Sequence, residues 1–444
     1  MKLSIVLLLF LLVAIISPVT IRQARASAPP YGQSNYHPEY YLLPTPVFGP
    51  AALGGPAPPD VQVAAGSGPD QDYVIELVNS WYVIYPKNTG CPQGGCPVLP
   101  LSDIFKYDTS TNFISDPKII YDTSSLRWYA SILECIGSNS ACTSTTNGCT
   151  ILAVSPYKDP NVGHWYDYRL CYGVSIVPDQ PLLGISNDKV IISSNFFNAA
   201  SGAYVGAFWE VYNLNDVETN HFTTNSYNGY GPYSNVESVY PVHDLTYDGS
   251  GTAWMVSTYG RNTVSSLNCN TSPYVNKIAV FKITGVPPTS SSTSYLVSLK
   301  TGNYFRSPPN ASQQGTTNLI STGDCRTQSA VFWNSKIWLA ANDSCVPQGD
   351  TRSRSCFQVV QLDTTNPSAA PLQDFDVEYA GYYTFYPALR VDSNGNLDVV
   401  FGYSSQNDYP TIAVAGEGHD ESGAMSPDLP INLSQFAPTY DRDY

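Results

Sequence analysis

Seven polar residues of types that can carry chemistry stand at or near the beginnings of short apolar segments that recur along the chain. Carboxyl groups brought together at one place can act as general acid and base on a glycosidic bond. Several carboxylates with backbone carbonyls can instead hold Ca²⁺, and each residue alone could simply cap a turn. The candidates are Asp116, Asp179, His243, Asp244, Asp324, Arg326 and Tyr386.

The pair His243–Asp244 stands out because the chain has only five histidines. An imidazole at a channel mouth can act as a general base or a metal ligand, whereas a structural histidine there would bridge backbone groups. The segment 392–398 resembles half of a calcium-binding loop, but its glycine is misplaced and its terminal glutamate is missing. No cofactor is firmly indicated, and Ca²⁺ is the one cation we consider.

Two loops rich in tyrosine and glycine form a further candidate ligand-binding surface. Aromatic rings in such loops can stack on sugar rings or enter a partner protein, or they can pack on their own strands. The residues concerned are Tyr227, Tyr230, Tyr233, Tyr382 and Tyr383.

Charge and missing motifs exclude several functional classes. The chain has 21 basic and 36 acidic residues and a net charge of −15, which disfavours nucleic acid as a partner. The sequence contains no Gly-x-Ser-x-Gly elbow, no phosphate-binding glycine loop and no His-Glu-x-x-His motif. These absences lower the expectation of a serine hydrolase, a nucleotide-binding protein or a zinc protease.

The elements that must position these residues are repeated β-hairpins. An apolar run, a tight turn and a second run rich in aromatic and β-branched residues recur at 116–131, 181–194, 244–257, 329–340 and 387–401. Hairpins repeating roughly every 60–80 residues are typical of propeller blades. With a less regular copy after Asp60, the sequence predicts an all-β, six-bladed β-propeller, with five or seven blades as alternatives. The first strand of each blade would line the channel, and Trp128, Trp254 and Trp338 would pack between blades.

Residues 60–416 resemble secreted β-propellers of the sialidase-like and glycosidase-like type. The likeness rests on phrases such as those at 115–131, 183–190 and 391–397. It implies the fold, but no catalytic residue follows from it. The segment 248–254 departs in spacing from the sialidase Asp-box, Asp392–Gly395 lacks its tryptophan, and no motif assigns a three-arginine carboxylate clamp.

The chain divides into four regions. Residues 1–26 have a short charged start, an apolar core and a small-x-small site, and they predict a secretory signal peptide; an uncleaved anchor is the alternative. Residues 27–59 form a Pro/Gly/Tyr-rich arm, 60–416 the propeller, and 417–444 an acidic tail. No later segment is apolar and long enough to span a membrane. We therefore expect a secreted or cell-surface protein.

Ten cysteines, an even number in an exported chain, predict disulfides. Cys91 with Cys96 and Cys345 with Cys356 are close enough in sequence to close small loops. Two further bonds are expected among four cysteines of one region, and the last two cysteines would then pair. The four are Cys135, Cys142, Cys149 and Cys171, and the last two are Cys269 and Cys325.

Four glycosylation sequons occur in segments predicted to be loops. Their asparagines are Asn270, Asn310, Asn342 and Asn432.

Three functions agree with these observations. We expect a binding or surface-interaction module for a glycan or an extracellular protein. The alternatives are a glycoside hydrolase or lyase that uses carboxylates at the channel mouth, and a structural surface component that self-associates through its N-terminal arm. Whether the chain is an enzyme is left open by the sequence.

Overall fold

The protein is a six-bladed β-propeller. The computed structural model describes residues 61–67, 72–92, 95–161, 164–247, 249–260, 269, 276–300, 303–423 and 425–433. The predicted signal peptide and arm, and the sequon asparagine Asn270, lie outside the described residues. None of the helices in the described part of the chain is long and apolar enough to cross a membrane.

The first three blades are four-stranded antiparallel sheets, each built from one continuous stretch of chain. Blade 1 contains β1 (Val61–Ser67), β2 (Asp72–Val78), β3 (Trp81–Pro86) and β4 (Leu99–Pro100), followed by a 3₁₀ turn at Leu101–Asp103. Blade 2 contains β5 (Asn112–Asp122), β6 (Arg127–Ile136), β7 (Asn147–Val154) and β8 (Tyr166–Val174). Blade 3 contains β9 (Ile176–Ile185), β10 (Lys189–Asn198), β11 (Tyr204–Asn213), the helix α1 (Leu214–Glu218) and β12 (Tyr227–Tyr233).

The remaining blades repeat this pattern with one crossover. Blade 4 contains β13 (Tyr240–Pro241), β15 (Thr252–Ser257), β16 (Lys277–Thr284) and β17 (Ser291–Ser298). Blade 5 contains β18 (Thr327–Trp333), β19 (Lys336–Cys345), β20 (Arg354–Asp363) and β21 (Gln373–Val377), with β14 (His243–Asp244) added to its inner edge. Blade 6 contains β22 (Tyr383–Val391), β23 (Leu397–Ser405), β24 (Asp408–Glu417) and β25 (Ser426–Leu433).

The crossover changes the first strand of blade 4 from the one that the sequence predicts. Tyr240 and Pro241 pair with β15, and Pro241 has no N–H with which to extend that ladder. The chain then crosses to the next blade, where His243 pairs with Val331 in parallel. The start of the predicted hairpin, His243–Asp244, therefore lies at the inner edge of blade 5, whereas its second run, Thr252–Ser257, remains in blade 4.

The first strands of the blades surround the channel, as expected. Consecutive inner strands β1, β5, β9, β13, β18 and β22 lie against one another. An inner strand is the free edge of its sheet, so it tolerates proline. Four of these strands contain proline, at Pro117 in β5, Pro178 and Pro181 in β9, Pro241 in β13 and Pro387 in β22.

The core consists of apolar layers between blades. Trp128, Trp254 and Trp338 are 0%, 5% and 4% exposed and lie in three different layers. This position between sheets is the one that their recurrence in the second strand of a hairpin predicts. Burial of such large rings supplies much of the apolar area that holds neighbouring blades together.

Blade 6 extends beyond the predicted end of the propeller. β25 pairs with β24 along the outer edge, from Ser426 opposite Gly416 to Leu433 opposite Thr411. The sequence of β25 contains two prolines and little alternation of apolar and polar residues, so it does not resemble a typical strand. As an edge strand it needs backbone hydrogen bonds on one side only and therefore tolerates proline. The region expected to be an acidic tail therefore supplies the outermost strand.

All ten cysteines form disulfides. The bonds Cys91–Cys96 and Cys345–Cys356 are those expected from spacing. The four cysteines of blade 2 pair as Cys135–Cys142 and Cys149–Cys171, and Cys269 pairs with Cys325.

Candidate functional site

Inner-strand bulges shape one mouth of the channel. Strand pairing shifts register between Ser115 and Lys118 in blade 2, and equivalent irregularities occur in β9, β18 and β22. Three residues at these bulges have left-handed backbones directly before a proline: Asp116 (φ 58°), Gln180 (φ 47°) and Tyr386 (φ 52°). A bulge adds a residue to one strand and redirects its side chain. The repeated bulges thus place polar groups in the first half of the inner strands.

Asp116 and Asp179, from adjacent blades, form a carboxyl pair at this mouth. Their side chains hydrogen-bond to each other, and Asp116 also accepts from the Gln180 amide at 3.1 Å. Burial and the neighbouring Asp116 carboxyl raise the pKa of Asp179 to about 7. Two carboxyls this close share a proton, because both cannot carry a full charge.

Arg326, immediately before β18, links this pair to further acids. Its guanidinium makes a two-point contact with Asp324, at 2.8 and 2.7 Å, and reaches Gln180 Oε1 at 3.3 Å. It also lies 3.9 Å from Glu237 and above the ring of Tyr259. Although burial disfavours its charge, these acids raise the pKa of Arg326, so the guanidinium stays charged.

Glu237, Gln180 and Tyr259 are members of the cluster that the sequence analysis did not identify. Glu237 is 1% exposed and precedes β13. Its backbone is held by an N–H bond to Tyr259 O at 2.9 Å and by the Ser257 hydroxyl at 2.8 Å. Gln180 could have been identified from the sequence, because it directly precedes Pro181 of an inner strand, as Asp116 precedes Pro117.

The cluster has an acidic balance. Asp116, Asp179, Asp324 and Glu237 face one arginine, and one shared proton still leaves an excess of negative charge. Among the described residues, one group of three metal-ligand types lies within 4.8 Å, namely Cys345, Cys356 and Glu378. Because those cysteines are disulfide-bonded, that group is no metal site. A proton shared between Asp116 and Asp179 is sufficient to explain why the two carboxyls lie in contact.

Tyr386 lies beside this cluster. Its ring atoms approach Gly323 closely enough that a side chain there would meet them at 3.2 Å. Its amide donates to Asn342 Oδ1 at 2.8 Å, and Asn342 Nδ2 donates to Thr322 O at 2.9 Å. The Asn342 amide therefore ties blade 6 to the loop that carries Asp324.

Asn342 is consequently not a loop sequon. It lies within β19 and is fully buried. Its side-chain oxygen and nitrogen make the two backbone hydrogen bonds just described. The expectation of a loop fails here because the sequon sits on a strand whose side chain points into the blade. Asn310 is exposed, and Asn432 lies in β25.

His243 and Asp244 are not part of the cluster around Asp179 and Arg326. They pair with Val331 and Phe332, about 16 Å along β18 from Arg326. His243 is 3% exposed, and its Nδ1 accepts from Arg390 at 2.8 Å; burial and this arginine lower the pKa of His243, which keeps the ring neutral. The Asp244 carboxylate accepts from the amides of Thr246 and Tyr247 and so caps a turn.

The tyrosines predicted to bind ligands are spread over two blades. Tyr233 is 39% exposed and stacks on Trp209 at 4.7 Å, and the Tyr230 hydroxyl lies 2.9 Å from Ser290 Oγ. Tyr382 stacks on Tyr403 at 4.5 Å. Of the others, Tyr227 packs on Phe222 and Tyr383 lies under the guanidinium of Arg354. All but Tyr233 are partly buried, and the contacts of Tyr230 with Ser290 and of Tyr383 with Arg354 join neighbouring blades.

The acid pair at the mouth has a counterpart in blade 5. Burial and the nearby Glu378 and Asp374 raise the pKa of Asp376 to about 7, and the buried Asp343 beside it also has a raised pKa through burial and Asp376. Asp376 sits on the outermost strand β21. A raised carboxyl pKa in this protein is therefore not confined to the channel mouth.

No family model matches the chain, and no curated protein matches it by sequence. Solved structures include distant matches. An N10 neuraminidase-like protein of A/little yellow-shouldered bat/Guatemala/060/2010 is 8% identical, with a TM-score of 0.43 over 83% of this chain and 94% of that one.

Two further structures show the same range of likeness. Trypanosoma rangeli sialidase in complex with sialic acid is 10% identical, with a TM-score of 0.38 over 80% of this chain and 53% of that one. The GH43_1 enzyme from Xanthomonas citri complexed with xylotriose is 10% identical, with a TM-score of 0.34 over 74% and 94%. All three TM-scores are below 0.5 and mark a distant likeness, and the six-bladed fold is established by this chain's own strand pairing.

Proposed function

We propose that this protein is an exported glycan-processing enzyme that cleaves a neutral saccharide at the channel mouth, with Asp179 as general acid. The observation that carries the proposal is the hydrogen-bonded Asp116–Asp179 pair, in which burial and the neighbouring carboxyl raise the pKa of Asp179 to about 7. A general acid works best when its pKa lies near the working pH. Asp179 holds its proton at mildly acidic to neutral pH, where an ordinary aspartate has lost it.

The second carboxylate that the chemistry needs must stand apart from this pair. In glycosidases the acid and its partner carboxyl are about 5–10 Å apart, so two hydrogen-bonded carboxyls count as one acid group. Asp324 is the candidate partner because it is about one-fifth exposed and is oriented by the guanidinium of Arg326. Its negative charge could stabilise positive charge at the sugar carbon or direct a water molecule.

The charge of the cluster selects the substrate class. Arg326 is already occupied by Asp324 and lies near Glu237, so it is poorly placed to clamp a substrate carboxylate. An anionic sugar would meet net negative charge at the mouth. A neutral glycan avoids this repulsion, and hydrolysis suits it better than elimination, which requires a carboxylated sugar.

Export is part of the proposal. Five disulfides tie this chain together, and such bonds persist in oxidising compartments. A protein in such a compartment meets the glycans of cell surfaces and extracellular matrices, and we propose the neutral ones among them as substrates.

A glycan-binding module without turnover is the second candidate. It is favoured by the mutual neutralisation of Arg326 and Asp324, which offers a rigid polar platform beside the ring of Tyr259. The two candidates differ in whether Asp179 must donate its proton.

A substrate screen tests the proposal. Disulfide-bonded protein lacking residues 1–26 should be incubated with neutral oligosaccharides and polysaccharides, and new reducing ends measured, with and without added Ca²⁺. Release of reducing ends by the native protein and its loss in Asp179→Asn support the enzyme. Saturable binding without cleavage, equally strong in Asp179→Asn, supports the binding module instead. Full activity of Asp179→Asn would refute the assigned role.

A further inference from the structure

A pocket lies on the face of the propeller opposite the carboxyl pair, between blades 5 and 6. It forms where the β18–β19 turn, the β22–β23 turn and the β24–β25 loop meet, and its volume is about 220 Å³. Trp333 at the end of β18 lines it, about 23 Å along that strand from Arg326. The pocket therefore shares no residue with the channel mouth.

The aromatic wall of this pocket depends on one glycine. The rings of Trp333 and His419 meet edge to face with their centroids 5.6 Å apart. A side chain at Gly395 would meet Trp333 at 2.4 Å and His419 at 2.6 Å. Gly395 also has a φ of +88°, which the turn that follows Asp392 requires. Glycine at position 395 thus permits both the turn and the close packing of the Trp333 and His419 rings.

The turn that carries Gly395 is itself fixed by hydrogen bonds. The Asp392 carboxylate accepts from the amides of Asn394 and Asn396, at 2.9 and 2.8 Å. Asn396 Oδ1 in turn accepts from the His419 amide at 3.0 Å. These bonds hold the two sides of the pocket together, and such preorganisation lowers the entropic cost of binding a ligand.

Polar side chains also line this pocket. Glu417 is 2% exposed, and its Oε1 accepts from Gln373 Nε2 at 2.8 Å. Glu421 and Lys336 also line the space. The carboxylates can only accept hydrogen bonds when ionised, the lysine can only donate, and the ring of His419 can do either. The Gln373 amide is already engaged at both ends, with Glu417 and with the Gly423 amide, so it positions Glu417.

We infer that this pocket is a second binding site, one that takes a single pyranose unit of a neutral saccharide. An indole face pairs with the apolar face of a sugar ring, while vicinal hydroxyls match the mixed acceptors and donors in the same pocket. Glu417 and Glu421 disfavour an anion, and Lys336 offsets one of their two negative charges. The volume lies below the roughly 300 Å³ at which pockets for larger ligands begin, which limits the site to about one ring.

Ligand titration of a variant with an inactive mouth tests this inference. Asp179→Asn protein should be titrated with D-glucose, D-galactose, D-mannose, D-xylose and their disaccharides, with binding followed by saturation-transfer NMR and calorimetry. We expect saturable binding of at least one sugar. Ser422→Trp, which fills the pocket from an exposed position, should weaken it at least tenfold.

The controls separate this site from the channel mouth and from misfolding. Ser294→Trp, the same change at an exposed position on β17, should bind as the parent does, and His419→Ala should weaken binding without loss of thermal stability. The inference is overturned if no sugar binds, if Ser422→Trp binds normally, or if lysine peptides or acetate bind in place of sugars. None of these results depends on whether the native channel mouth cleaves a glycan.

Discussion

Asp116 and Asp179 hydrogen-bond to each other across the boundary between blades 2 and 3. The contact exists because each inner strand is bulged just before a proline, at Asp116 in β5 and at Gln180 in β9. The same geometry brings the Gln180 amide to Asp116 Oδ2 at 3.1 Å. The pair and its supporting amide therefore form one unit from two blades.

Replacing Asp179 with asparagine should lower kcat/KM on a neutral glycan by about 10²–10⁴-fold, the usual contribution of a general acid. The substitution keeps the shape of the side chain but removes the transferable proton. In the native protein kcat/KM should fall as the pH rises above about 7, where Asp179 loses its proton. Initial rates measured from pH 4 to 9 check both statements.

Asp376→Asn is the matched control for that experiment. Its carboxyl also has a pKa of about 7, but it lies on the outer strand of blade 5. It should leave the pH profile unchanged. Equal losses in both variants would show that the effect is general destabilisation.

Mild acid should stabilise the folded protein. Burial raises the pKa values of Glu76 and Asp376 to about 7 and of Asp167 to about 6, and Asp179 behaves in the same way. The folded state then binds more protons than the unfolded chain between about pH 4 and 7, so stability declines as the pH rises through that window. The melting temperature should be higher at pH 5 than at pH 8, and Asp376→Asn should reduce the difference. A higher melting temperature at pH 8 would contradict these pKa shifts.

Replacing Arg326 with methionine should destabilise the protein by about 3–5 kcal/mol, because Asp324 and Glu237 would lose their common cation. The charge of Arg326 also lowers the pKa of Asp179, so its removal should move the alkaline limb of the activity profile to higher pH. Urea unfolding and the pH profile measure the two effects. Arg127→Met, which loses backbone contacts in blade 2, serves as the control and should leave the profile in place.

Loss of the Cys269–Cys325 bond should cost more than loss of Cys91–Cys96. The first closes a span of 56 residues and the second a span of 5, which corresponds to about 4 against about 2 kcal/mol in the chain-entropy account. Cys325 also lies between Asp324 and Arg326, so its double alanine variant should lose activity as well as stability. Unfolding curves and turnover of the two double variants distinguish these effects, and equal activity in both would show that this bond does not support the site.

In a host that attaches N-linked glycans, Asn310 should be occupied and Asn342 empty. Asn310 is exposed, whereas Asn342 is fully buried and bonded to Thr322 and Tyr386. Glycopeptide mapping of the folded, secreted protein checks this difference. Substantial occupancy at Asn342 would mean that β19 forms differently.

The repeated hairpins were sufficient to predict the propeller, its six blades and the burial of Trp128 and Trp254, because alternation and turn residues are local properties. The same local patterns indicated Asp116, Asp179, Asp324 and Arg326, which the structure brings together. Only the tertiary structure shows that Glu237 and Tyr259 belong to this cluster and that His243 lies outside it. The physical reason is that bulges and a strand crossover decide which way an inner-strand side chain points, and these depend on pairing between segments far apart in the chain.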